Sequence, residues 1–177
     1  SGFAKLLYGV TKLGMTVVIT DRAVTPRLAP TPEIVLASAG ASPPADGFDW
    51  HPELSPEGPV SIVVSASDAR AVVLRNGIVI GSGSVLVDGP VGGTWAYTLR
   101  DVDAQGQHWM RLQLSSQSQD AEQVPAQEWQ RFHAPEAFRR AVAAIVVPGT
   151  TVIVTPDSVK PGGEPLDIIE EEAPAKN

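Results

Sequence analysis

There is no cysteine in these 177 residues, which removes disulfides, thiolate metal sites and cysteine nucleophiles together. That absence suits the cytosol and an oxidising envelope space alike, so it fixes no compartment. Charge is scarce at 19% and unbalanced, with 13 basic against 20 acidic residues and a formal net charge of −7. Nucleic-acid phosphates need a concentrated basic face, so no nucleic-acid partner is expected. No apolar run approaches the ~20 residues that cross a bilayer, and Gly, Pro or a charge breaks each one, so no transmembrane segment is expected. The three histidines, His51, His108 and His133, lack the spacing of metal ligands, and neither a metal nor a cofactor is expected. No Gly-x-Ser-x-Gly elbow singles out a serine nucleophile. Gly81-Ser82-Gly83-Ser84 leads into a strand rather than a helix and makes a poor phosphate cradle.

What is present is apolar text, 43% of the chain, enough for one core of moderate size with trimmings. Phe3, Leu6, Leu7 and Val10 recur at the spacing of one helix face. Gly14 ends that pattern, and Thr16-Val17-Val18-Ile19-Thr20 has the β-branched character of a buried strand. The helical pattern starts at once, without an initiating Met, and the expectation is a piece of a longer protein. Residues 22–58 read as a Pro/Ala-rich linker, because Pro26, Pro30, Pro32, Pro43, Pro44, Pro52 and Pro56 interrupt regular elements.

Residues 59–156 read as a β-rich domain. Val60–Ser65 and Ala71–Arg75 are strand candidates, Asn76-Gly77 is a strong two-residue hairpin turn, and Ile78–Ile80 returns from it. Ser84–Val87 follows as a further strand, after Gly81 and Gly83. A second hairpin joins Thr94–Leu99 to His108–Leu112 through Asp103-Ala104-Gln105-Gly106. Residues 115–128 are a polar loop, and 157–177, with Glu170-Glu171-Glu172, an acidic flexible tail. The fold class expected is mainly β, a mixed sheet or sandwich with one short C-terminal helix.

The chain also repeats itself. Residues 3–26 match residues 138–161 at an offset of 135 without a gap. Phe3 meets Phe138, Gly14 meets Gly149, Thr16-Val17 meets Thr151-Val152, Thr20 meets Thr155, and Pro26 meets Pro161. The stripe Phe3, Leu6, Leu7, Val10 becomes Phe138, Ala141, Val142, Ile145. Identity and apolar phase agree, as they do in a duplicated unit. The second copy is then expected to close the domain 59–156, and the first, residues 1–21, to be the end of a preceding domain absent from this chain.

The text Phe-Ala-Lys-Leu-Leu-Tyr-Gly-Val-Thr-Lys-Leu-Gly-Met-Thr-Val-Val-Ile-Thr at 3–20 resembles the C-terminal end of L,D-transpeptidase (YkuD-like) domains. Val60–Ser65 through Arg75-Asn76-Gly77-Ile78-Val79-Ile80-Gly81 is similar to that family's opening strands, and 60–161 resembles a degenerate second copy. The resemblance implies a mostly β fold, a bacterial periplasmic or cell-envelope location, and peptidoglycan cross-linking through a cysteine acyl-enzyme. That chemistry needs a thiolate, a histidine to take its proton and donors for the oxyanion. The family's His-Gly-Cys-x-Arg-like motif falls shortly before the terminal helix. Here the cysteine's position is Arg131, the arginine's is His133, and Pro135 stands where a proline commonly opens the helix. Arg131 is permanently charged and cannot attack. The family's Thr-Pro-x-Gly is not visible, the same region reading Pro90-Val91-Gly92-Gly93-Thr94. The second copy thus resembles a pseudo-enzyme, with no catalytic residue.

Two further patterns have two readings each. Asp101-Val102-Asp103-Ala104-Gln105-Gly106 begins like a calcium loop, but its twelfth position is Leu112 rather than an acid, and a hairpin turn explains the same residues. Trp95, Tyr97 and Trp109 alternate on hairpin strands, either as half-buried cross-strand partners or as a sugar-stacking face carried by Trp95 and Trp109. Three functions follow as expectations. The first is a non-catalytic envelope module that packs against an upstream catalytic module or positions peptidoglycan for it. The second is a fragment that completes an active enzyme with an N-terminal piece carrying the cysteine. The third is a glycan-binding module.

Overall fold

The computed structural model describes residues 2–11, 17, 25–32, 48–115 and 131–160. The strand text 16–20 (Val17 excepted), the segment 116–130 and the acidic run Glu170–Glu172 lie outside the described residues. The elements in chain order are helix α1 (Gly2–Val10), strand β1 (Arg27–Ala29), β2 (Asp49–Trp50), a 3-10 turn (Pro52–Leu54), β3 (Val60–Ser65), β4 (Arg70–Arg75) and β5 (Ile78–Ser84). They continue with β6 (Leu86–Val87), β7 (Thr94–Asp103), β8 (Gly106–Ser115), β9 (Phe132–His133), helix α2 (Glu136–Ala143) and β10 (Thr151–Thr155). The fold is mainly β, with a large mixed sheet and two helices.

Alternation builds the sheet. Along β3, Val60, Ile62 and Val64 are buried while Ser61 and Val63 turn to the other face, as the two-residue period of a strand requires. The order is β1-β8-β7-β10-β3-β4-β5-β2. β10 sits in the middle, parallel to β3 through Val152↔Ile62 and antiparallel to β7 through Val152↔Tyr97. The β4–β5 hairpin turns on Asn76 at φ 53° and Gly77 at φ 77°, the positive-φ pair that a type I′ turn demands. The β7–β8 hairpin turns at Ala104-Gln105, between Asp103 and Gly106. One face of the sheet carries Trp95, Tyr97, Leu99, Trp109, Val152, Ile62, Val64 and Val73, covered by Phe138 and Val142 of α2.

The glycine pattern corrects one expectation. Gly81 and Gly83 read as interruptions before a strand at Ser84–Val87, yet β5 runs through both and stops at Ser84. They serve close approach. A Cβ at Gly81 would lie 2.4 Å from Trp50 Cε3, and one at Gly83 would lie 2.9 Å from Phe138 Cγ. Val85 is fully buried at the break, and β6 pairs instead with β9 in a separate two-stranded ladder.

The proline-rich stretch 22–58 is corrected in the same way. Arg27–Ala29 pairs antiparallel with β8, Pro32 is fully buried, and Asp49–Trp50 pairs with Gly81 and Ser82 of β5. Both strands are edges of the described sheet, the place where proline is tolerated because one side of the strand needs no partner. Short edge strands also leave little template for unwanted pairing. Phe48 and Trp50 reach Phe138 with ring centroids 5.7 and 6.3 Å away, so this part of the stretch belongs to the core.

The start of the acidic tail is held as well. Ser65 Oγ donates to the carbonyl of Asp157 at 2.7 Å, the Ser158 hydroxyl donates to Asp68 Oδ1 at 2.8 Å, and the Val159 N–H donates to Asp68 Oδ2 at 2.8 Å. Residues 157–160 are thereby tied to the β3–β4 turn. The Val159 N–H first, and then the Ser158 hydroxyl, hold the Asp68 carboxyl below its ordinary value. A depressed carboxylate contributes stability that is present above the unfolded value of ~3.9 and is lost as pH falls through the folded one. Thermal melts should therefore lose an increment below about pH 4 that Asp68→Asn lacks. Equal acid dependence in the two proteins would contradict the assignment.

Candidate functional site

The β6–β9 ladder places the residues to which the family's nucleophile motif would map. Val87 pairs with Phe132 and Leu86 with His133, which brings Arg131 beside the loop that follows β6. The Asp88 N–H donates to the Arg131 carbonyl at 2.9 Å. In return the Arg131 guanidinium donates through Nε to the Asp88 carbonyl and through Nη2 to the Pro90 carbonyl, both at 2.6 Å. Gly89, at φ 78°, supplies the left-handed turn that aims these carbonyls at the guanidinium. His133 Nε2 lies 2.9 Å from Asp88 Oδ2. The loop is held by a planar fork of donors, a task for which arginine suits better than lysine.

Chemically this is a staple rather than a reacting site. A guanidinium offers five donors and no attacking lone pair. The imidazole beside it faces a carboxylate, where acyl transfer would set a nucleophile. The chain has no cysteine anywhere.

The tryptophans do not form a sugar platform, which corrects that reading. Trp109 is 0% and Trp95 6% exposed. Both lie on the inward face of the β7–β8 hairpin, Trp109 opposite Leu99 and Trp95 opposite Gln113. The Trp109 indole N–H donates to Gln107 Oε1 at 3.0 Å, and the Arg111 guanidinium lies 5.0 Å from the Trp95 ring centre. Stacking on a glycan needs an open ring face, and these faces are filled by core and cation.

The structure assembles one cluster that the sequence reading did not anticipate. At the tip of the β7–β8 hairpin, His108 Nε2 is 3.0 Å from Asp103 Oδ1 and 3.9 Å from Asp101 Oδ1. Oxygens of both carboxylates and this nitrogen lie within 4.8 Å of one another. His108 first, and the Gln105 N–H next, lower the Asp103 carboxyl. The signal was available, since counting outward from the two-residue turn pairs Asp101 with His108. The Arg100 Nε lies 2.5 Å from Asp101 Oδ2, so a guanidinium and an imidazole flank the two carboxylates, Asp101 half-buried and Asp103 exposed. The turn itself agrees with the hairpin reading of Asp101–Gly106.

On the outer face of the sheet, Pro26, Ala96, Thr98, Met110, Leu112 and Thr151 line an open, mostly apolar groove of about 330 Å³. No described helix is long and apolar enough to cross a membrane. No protein-family model, curated protein or solved structure matches the chain.

Proposed function

We propose that this chain is a non-catalytic β module of a bacterial cell-envelope protein of the L,D-transpeptidase type. It packs against a catalytic module, or presents peptidoglycan to it, on the periplasmic side of the envelope. The family attribution rests on the resemblance at 3–20 and 60–81 and on the internal repeat. The observation that carries the non-catalytic part is the Arg131 staple. At the position where the family's motif sets its cysteine, a guanidinium is committed to the carbonyls of Asp88 and Pro90. It fixes the loop, and a guanidinium at that position cannot serve as the acyl-accepting nucleophile.

The test is intact mass spectrometry of the full chain after incubation with a carbapenem, which acylates the cysteine of active members of the family. An unchanged mass is the expected outcome. A stable increment of one carbapenem on this chain would overturn the reading.

A further inference from the structure

The repeat allows one unit to be compared in two settings within a single chain. In the second copy, α2 and β10 bury Phe138 (3%), Val142 (3%) and Val152 (0%), and Ile145 packs against the core. In the first copy Leu7, matched to Val142, is half-buried, while three other matched side chains face water. Leu6 is 67%, Val10 69% and Val17 45% exposed, at the positions of Ala141, Ile145 and Val152. At one pair the same residue type is fully buried as Val152 and nearly half exposed as Val17. Tyr8, at 86%, adds to the uncovered surface of α1. An amphipathic helix exposing such a stripe has not met the surface it is patterned for.

The second copy shows what that surface looks like. α2 lies on a sheet, and the strand after it enters between one parallel and one antiparallel neighbour. Gly83 leaves the room in which the Phe138 ring sits. From this we infer that α1, with Val17 behind it, is a docking element whose partner is a second β-sheet of this same build, one whose own closing helix and strand are missing. Such a partner offers an apolar sheet face with a glycine that admits a helix side chain, as Gly83 does for Phe138. The inference rests on the reading above of a module that works beside another module, and it names the surface through which the two meet. The sheet of this chain does not need α1, because α2 and β10 already fill that place.

Interchangeability of the two copies is the test, read in the full chain with three variants. Val17→Asp alone should melt like the unaltered protein, since this sheet does not use the first copy. Val152→Asp should lower the melting temperature yet keep a cooperative transition, because the first copy can take the vacated place from within the chain or from a second molecule. Val17→Asp/Val152→Asp should show no cooperative transition. Identical behaviour of Val152→Asp and the double variant would overturn the inference. So would a loss in Val17→Asp as large as that in Val152→Asp, because α1 would then already be docked on this sheet. Neither result bears on acylation by a carbapenem, so failure here is separable from failure of the non-catalytic reading.

Discussion

Trp109→Ala is expected to cost about 3–5 kcal/mol of stability, a large share of the ~5–15 kcal/mol that holds a typical domain. The ring is fully buried at the centre of β8, opposite Leu99, and its N–H is satisfied by Gln107. Truncation removes packing on both ring faces and leaves the Gln107 carbonyl without that donor. Urea unfolding with an unchanged slope and a lower midpoint is the expected record. Leu28→Ser is the control. Leu28 is 72% exposed on β1, and its loss should stay within about 0.5 kcal/mol. A Trp109→Ala protein as stable as the control would show that this ring is not in the core, and the sugar-platform reading would return.

The second large effect is at the contact between helix and sheet. Phe138→Ala should also cost about 3–5 kcal/mol, because this ring is where α2, Phe48, Trp50 and the glycine floor of β5 meet. The converse change, Gly83→Val, forces side-chain atoms into a ring that would lie 2.9 Å from the new Cβ, an overpacking worth about 1–3 kcal/mol. Since both changes act on one space, the double variant should lose less than the two single losses together. Full additivity would mean that the two positions are not in contact.

Much of the sheet was legible because its central strands are long, β-branched and alternating. Asn76-Gly77 has the turn chemistry its hairpin requires, and the repeat located α2 and β10 through their match to residues 3–20. What escaped reading has a common cause. β1 and β2 are only three and two residues long and sit among prolines, and their strand character comes from the edge they join. Gly81 and Gly83 are in β5 because Trp50 and Phe138 need the space, a reason that appears only when distant residues meet. The Arg131 position was legible through the resemblance, but its role was not. Main-chain carbonyls carry no sequence signature, and the acceptors at Asp88 and Pro90 converge only after β6 has paired with β9. The Asp68 tie to Val159 was hidden for the same reason, since its acceptor and donor are 91 residues apart.

The two matching segments differ in setting. α2 and β10 complete the sheet, whereas Leu6, Val10 and Val17 are exposed. On the proposed reading such a module contributes contact surface, and Arg131, at the position the family's cysteine would take, serves the scaffold by holding the carbonyls of Asp88 and Pro90. The most direct measurement is to incubate the full chain with disaccharide tetrapeptide muropeptides and follow them by chromatography and mass. The account predicts donors that remain intact, with no terminal D-alanine released and no cross-linked dimer formed. Release of D-alanine or a new dimer, dependent on this chain, would contradict it.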